Sequence, residues 1–294
     1  MQRCNKTSLY TIYATNLSEM VQLFLYNRFM KFEVGLSAVF VMLWIFYRNV
    51  TSPAAGFETQ FFPNLLIALG IVGIFFSSIV VHEFSHAIVM TLFGIKVKKI
   101  KLMFFGGYTE AMEGYGDHDT WSPFKDFCVS FVGPLSNFGI ALILYSVFFD
   151  KSLYKIFNIV TGAGTFGMQI NALNYLVIYA VFFNLVIGAF NLMPVLPLDG
   201  GHVLRAILRG CFKRRWIADL IPGLLSLVAG LAGIYLMSDN LSLTTMRDQG
   251  IFGVVDFLLN LGILGLVCLA MIVMGIVSLR KSISIYNNGT VQDG

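Results

Sequence analysis

The chain has 294 residues, 57% of them hydrophobic and 12% charged, with a mean hydropathy of +0.76 and a formal net charge of +4. A composition this apolar excludes an ordinary soluble domain, in which about 25% of residues are charged, and describes an integral, multi-pass membrane protein. At about 20 residues per span the length allows roughly five to seven helices and no large soluble domain beside them.

In chain order, residues 1–31 form a mixed N-terminal segment, within which 17–27 reads as an interfacial amphipathic helix. Apolar runs at about 32–47, 61–93, 124–149, 173–198, 216–237 and 252–279 predict six transmembrane helices, followed by a short polar tail at 282–294. The expected class is therefore an all-α polytopic membrane protein, its six-helix core running from 32 to 281. With the N-terminus inside, sixteen Lys and Arg fall on inner segments and four (Arg48, Lys151, Lys155, Arg247) on outer ones. That bias places both termini in the cytoplasm.

Between spans two and three, residues 97–112 alternate lysines with aliphatic residues and then pass through Phe105-Gly106-Gly107. This predicts a small β-hairpin, resting on the membrane face or tucked among the helices, since an isolated hairpin is marginal in water. Cys4, Cys128, Cys211 and Cys268 are far apart with no CxxC pair, which suggests neither a disulfide framework nor a thiolate metal site. Nothing in the pattern points to a nucleic-acid partner.

The chemistry-bearing residues begin in span two with His82-Glu83-Phe84-Ser85-His86. Histidines four apart share one helical face and can bind one metal ion. Glu83 lies about 100° round from His82, where it can reach a metal-bound water without ligating the ion itself. Ionisable residues in so apolar a span are costly and usually functional. A catalytic zinc generally takes three protein ligands, so one more is needed. His118, Asp117, Asp119 and His202 are candidates, but Asp199 is preferred: Pro194-Val195-Leu196-Pro197-Leu198-Asp199-Gly200-Gly201 puts a carboxylate at the end of span four, loosened by two prolines. Spans two and four run in the same direction, so their C-terminal halves reach one depth. An Asp before Gly-Gly can equally cap a following helix.

HEFSH, the Phe105-Gly106-Gly107 turn, Gly133-Pro134-Leu135-Ser136-Asn137 in span three and the run from Asn191 through Pro194, Pro197 and Asp199-Gly200-Gly201 together resemble the site-2 protease family, over roughly residues 30–210. The resemblance implies one zinc ion held by His82, His86 and Asp199, with Glu83 as general base, and cleavage of a transmembrane segment of another protein within the bilayer. It also points to Asn191 as a residue near the scissile bond that positions substrate or the oxyanion. From the residues alone, Asn191 can instead satisfy backbone freed by Pro194. Asn137 reads as an interhelical packing bond and not as a catalytic group. No internal stretch is long enough for a PDZ domain, and 13 residues after Lys281 leave no room for a CBS pair, so a minimal member is expected.

Such a protease needs water at the site, and a polar channel from the cytoplasmic face lined by the 94–122 and 199–215 loops is expected. A substrate helix must unwind to be cut, and the hairpin at 97–112 offers an edge to which the unwound strand can add. The reading from another class is a polytopic metal transporter or a non-catalytic zinc-binding scaffold. A transporter would need a path of carboxylates through the outer half of the spans, which the sequence does not provide.

Overall fold

A computed structural model describes residues 31–51, 61–103, 106–148, 172–212, 214–239 and 250–292. The expected interfacial helix at 17–27, and Phe104 and Phe105 of the hairpin turn, lie outside the described residues. In chain order the elements are β1 (Lys31–Val34), α1 (Leu36–Thr51), α2 (Phe61–Leu92), β2 (Val97–Met103), β3 (Gly106–Ala111), α3 (Pro123–Phe148), α4 (Ala172–Asn191), α5 (Asp199–Cys211), α6 (Arg215–Asp239) and α7 (Gly250–Gln292).

Five of the helices, α2, α3, α4, α6 and α7, are long and apolar enough to cross a membrane. Among the described residues, the six spans expected from sequence correspond to these five helices and one shorter apolar helix. α1 has 16 residues, about 24 Å of helix, against about 30 Å of hydrocarbon. It begins four positions later than the expected span because Lys31-Phe32-Glu33-Val34 alternates polar and apolar and is a strand. β1 pairs parallel with β2 (Phe32 opposite Ile100, Val34 opposite Leu102), and β2 pairs antiparallel with β3, giving a three-stranded sheet in the order β1-β2-β3. The expected two-stranded hairpin is therefore covered on one side, and β2 is the central strand.

The sheet is fixed to α2 by its apolar face. Val97, Ile100 and Leu102 of β2 are at most 3% exposed and pack with Ile79, Ala87 and Met90 of α2, Val129 of α3 and Trp121. Val97 and Ile100 are three apart yet face the same way because the register shifts between Val97 and Lys99, a bulge that inserts the extra residue. Lys98 and Lys99 turn outward, where both reach Glu110 of β3, at 2.8 and 3.3 Å.

The fourth expected span, 173–198, is two structures. α4 stops at Asn191, residues 192–198 make an irregular bend, and α5 begins at Asp199. Pro194 and Pro197 cannot supply helix N–H groups, so the apolar run continues while the helix does not. The bend is held by the Leu196 N–H, which donates to Ser226 Oγ of α6 at 2.6 Å. α5 can press onto it because its first turn is Gly200-Gly201: a Cβ on Gly201 would stand 2.7 Å from the Val195 carbonyl.

A candidate metal centre between α2, α3 and α5

His82 and His86 lie in the last third of the 32-residue α2 and are 3% and 6% exposed, with Glu83 at 2%. Asp199, far downstream, joins them: its Oδ2 is 2.9 Å from His82 Nε2 and 3.3 Å from His86 Nε2. The carboxylate does not cap α5, whose N-cap is Leu198 with no side-chain cap bond.

The outer ring atoms decide what the inner ones can do. Asn137 Nδ2 donates to Ser78 O (3.2 Å) and to Asn184 Oδ1 (2.8 Å), so Asn137 Oδ1 is left to accept the N–H of His82 Nδ1 at 2.6 Å. His86 Nδ1 donates likewise to the Val129 carbonyl at 2.6 Å. With Nδ1 protonated on both rings, each neutral imidazole presents a lone pair at Nε2. Both lone pairs aim at a carboxylate oxygen. Three acceptors converging in a buried pocket repel one another unless a cation lies between them, and two imidazoles with one carboxylate are a donor set suited to zinc.

Gly133 of α3 makes the approach possible. A Cβ there would stand 2.7 Å from His82 Nε2 and 2.6 Å from His86 Cε1. Glu83, also within 4.8 Å of the histidine ligand atoms, is in contact with β3. Thr109 Oγ1 reaches its Oε2 at 3.0 Å, and a Cβ on Gly107 would stand 2.8 Å from its Oε1.

Beside Glu83 and Asp199 opens a cavity of about 240 Å³ with apolar walls from Phe75, Ile79, Val186, Phe190 and Val267. Asn191, the last residue of α4, is on this wall and donates its Nδ2 to the Ile187 carbonyl at 3.0 Å.

Residues 70–221, just over half of the chain, match the model of Peptidase family M50. The chain belongs to peptidase family M50. Zinc metalloprotease MJ0392 of Methanocaldococcus jannaschii is 33% identical over 177 residues, 58% of this chain and 44% of its own. Putative zinc metalloprotease sll0528 of Synechocystis is 28% identical over 200 residues, 64% and 47%. The chain thus spans less than half the length of these curated relatives. The solved structure of the site-2 protease from Methanocaldococcus jannaschii has the same fold, with a TM-score of 0.50 at 21% identity over 86% of this chain and 92% of that one.

The other ligand candidates from the sequence lie elsewhere in the M50 core. His118 and His202 stack with ring centroids 4.0 Å apart, and His118 Nδ1 is 2.5 Å from Asp126 Oδ1. Asp126 is 0% exposed, and its second oxygen faces Arg209 Nη1 at 3.4 Å, so this carboxylate is already engaged and the cluster is a poor cation site. Burial and the neighbouring His118 hold the His202 imidazole well below its ordinary value, leaving it neutral. Asp119 turns outward to Arg205 and Lys281. Sequence reasoning overlooked Thr109, Asn184 and the Val129 carbonyl. Only Thr109 had any signal, two residues past the Gly-Gly pair.

Proposed function

We propose that the chain is an intramembrane zinc metalloprotease of the site-2 type, which hydrolyses peptide bonds in or near transmembrane segments of other membrane proteins. The observation that carries this reading is the convergence of His82 Nε2, His86 Nε2 and Asp199 Oδ2 beside a buried Glu83. His82, His86 and Asp199 would hold one zinc ion, which when bound lowers the pKa of a water toward about 7 and polarises a carbonyl.

The chain's own groups do the rest. Glu83 takes a proton from the attacking water and passes it to the leaving amine nitrogen. Thr109 keeps the carboxylate turned toward the cavity. The apolar walls receive the substrate side chains and exclude bulk water. Asn191 stands on the same wall and positions the substrate backbone. The unwound substrate adds as a strand to β3, whose outer edge is open among the described residues while β1 covers the far side of β2.

The excess of Lys and Arg on inner segments puts both termini and the mouth of the site in the cytoplasm, with the lipid bilayer around the spans. The reading is tested by reconstituting the protein, counting zinc and following cleavage of a single-span substrate. Asp199→Ala and His86→Ala should each lose zinc and cleavage together. Full zinc occupancy in both variants would refute the ligand set.

A further inference from the structure

Asp199 reaches the two histidines on a helix of its own. α5 is not continuous with α4, because residues 192–198 bend irregularly between them. Its buried residues are Gly200, Gly201, Arg205, Ala206 and Leu208. Three of these five are small, so interlocking side chains do little to fix where the helix lies along its axis or how it is turned. A slip of one residue turns a helix by about 100° and shifts it by about 1.5 Å. Either movement would take the carboxylate off its 2.9 and 3.3 Å approaches to His82 and His86.

The far end of α5 carries a directional anchor. Arg209, in the last turn, donates Nη1 to the His118 carbonyl at 2.6 Å and Nη2 to the Trp121 carbonyl at 2.7 Å, and Nη1 also faces Asp126 Oδ2 at 3.4 Å. A rigid planar fork held at two nitrogens admits one orientation of the helix that bears it. The acceptors are themselves fixed. Trp121 is 6% exposed and donates Nε1 to the Tyr115 carbonyl at 2.9 Å, and Asp117 Oδ1 accepts the Asp119 and Thr120 N–H groups at 3.0 and 3.2 Å. Asp126 is in the first turn of α3, the helix whose Val129 carbonyl holds His86 and whose Asn137 holds His82. One helix thus refers both histidine rings and, through Arg209, the helix of Asp199 to a single frame.

We propose that Arg209 is a positioning residue for Asp199: it fixes the axial position and rotation of α5 against α3 and the 115–121 turn, and so sets the carboxylate between the two imidazoles. The inference rests on the ligand set of His82, His86 and Asp199 proposed above. Arg209 stands ten residues, about 15 Å of helix, from Asp199 and so acts on the metal only through α5.

A double-mutant cycle on zinc affinity separates positioning from general support of the fold. The full chain is stripped of metal and titrated with zinc against a competing chelator, as the parent, Arg209→Lys, Asp199→Ala and the double variant. Arg209→Lys keeps a positive charge beside Asp126, but one ammonium cannot reproduce the fork on two carbonyls. It should lower zinc affinity by about 10- to 100-fold, the scale of losing a ligand's outer partner. In Asp199→Ala, zinc is left with His82 and His86 and binds weakly, and there Arg209→Lys should change the affinity by less than about twofold, because the group it positions is gone. Equal losses in both backgrounds would overturn the inference by showing that Arg209 supports the whole site, as would an unchanged affinity in Arg209→Lys alone. If Arg209→Lys does not fold, Asp126→Asn, which keeps the size of the side chain and removes its charge, runs through the same cycle. Asp199→Ala binding zinc as tightly as the parent would refute the ligand set itself, an outcome distinct from failure of the Arg209 cycle.

Discussion

Asn137 on α3 offers its side-chain oxygen to the ring N–H of His82 at 2.6 Å while its amide nitrogen is tied to Ser78 of α2 and Asn184 of α4. One buried amide therefore sets the tautomer of a candidate metal ligand and fastens three helices together. Asn137→Ala should lower zinc affinity by about 10- to 100-fold, the usual effect of removing a ligand's outer partner. It should also lower stability by about 1–3 kcal/mol, because Asn184 loses a buried partner. Competitive titration against a chromogenic chelator measures the first, and unaltered affinity would show that the orientation of His82 comes from elsewhere.

Gly133→Ala tests how closely α3 must approach the histidines. The added methyl would overlap both imidazoles. Zinc content should fall well below that of the parent protein, and Gly139→Ala, where a Cβ meets nothing within 4 Å, should bind zinc normally. Equal zinc in both variants would contradict the packing described for α3.

Much of this site was legible in the chain, and the reason is local geometry. His82, Glu83 and His86 needed only the helical repeat, and Asp199 stood out as a carboxylate after an apolar run broken by prolines. What escaped depended on long-range approach. The run 173–198 is uniformly apolar, so hydropathy could not show that α4 ends at Asn191 and that Asp199 opens a new helix. β1 has four residues joined to an apolar helix, too short an alternation to stand out, and its partner β2 lies some 70 positions away. Asn137 read as packing, which it is, but its bond to His82 spans 55 positions and leaves no pattern in the sequence.

Gly107→Ala should separate the role proposed for Glu83 from metal binding. A methyl on β3 at this position would press on the Glu83 carboxylate but not on the histidines. Zinc should stay bound while the cleavage rate falls by about 10²-fold or more, the scale on which a misplaced catalytic group costs rate. Unimpaired cleavage would show that Glu83 tolerates displacement.

The outer ion network gives a pH prediction. Asp119 is desolvated, which opposes ionisation, but Lys281 of α7 and Arg205 of α5 outweigh this and hold its carboxyl at about 2, below the ordinary value of 3.8. A depressed carboxylate stabilises the fold above its unfolded value and loses that contribution as pH falls through the folded one. The window is therefore from about pH 4 down to about 2. Because Asp119 is 47% exposed, the contribution is modest, about 0.2–1 kcal/mol. Thermal unfolding in detergent should show a small, constant difference between the parent and Asp119→Asn from pH 5 to 8. A difference that grows across that range would contradict the assignment.

The central claim is that Glu83 performs proton transfer beside a metal it does not ligate, and Glu83→Gln measures this most directly. The substitution preserves shape and removes the basic oxygen. Zinc counted per chain, together with cleavage of a single-span substrate in the same vesicles, should show undiminished zinc and cleavage reduced by about 10²- to 10⁴-fold. Cleavage at the parent rate, or loss of zinc from the variant, would contradict the account.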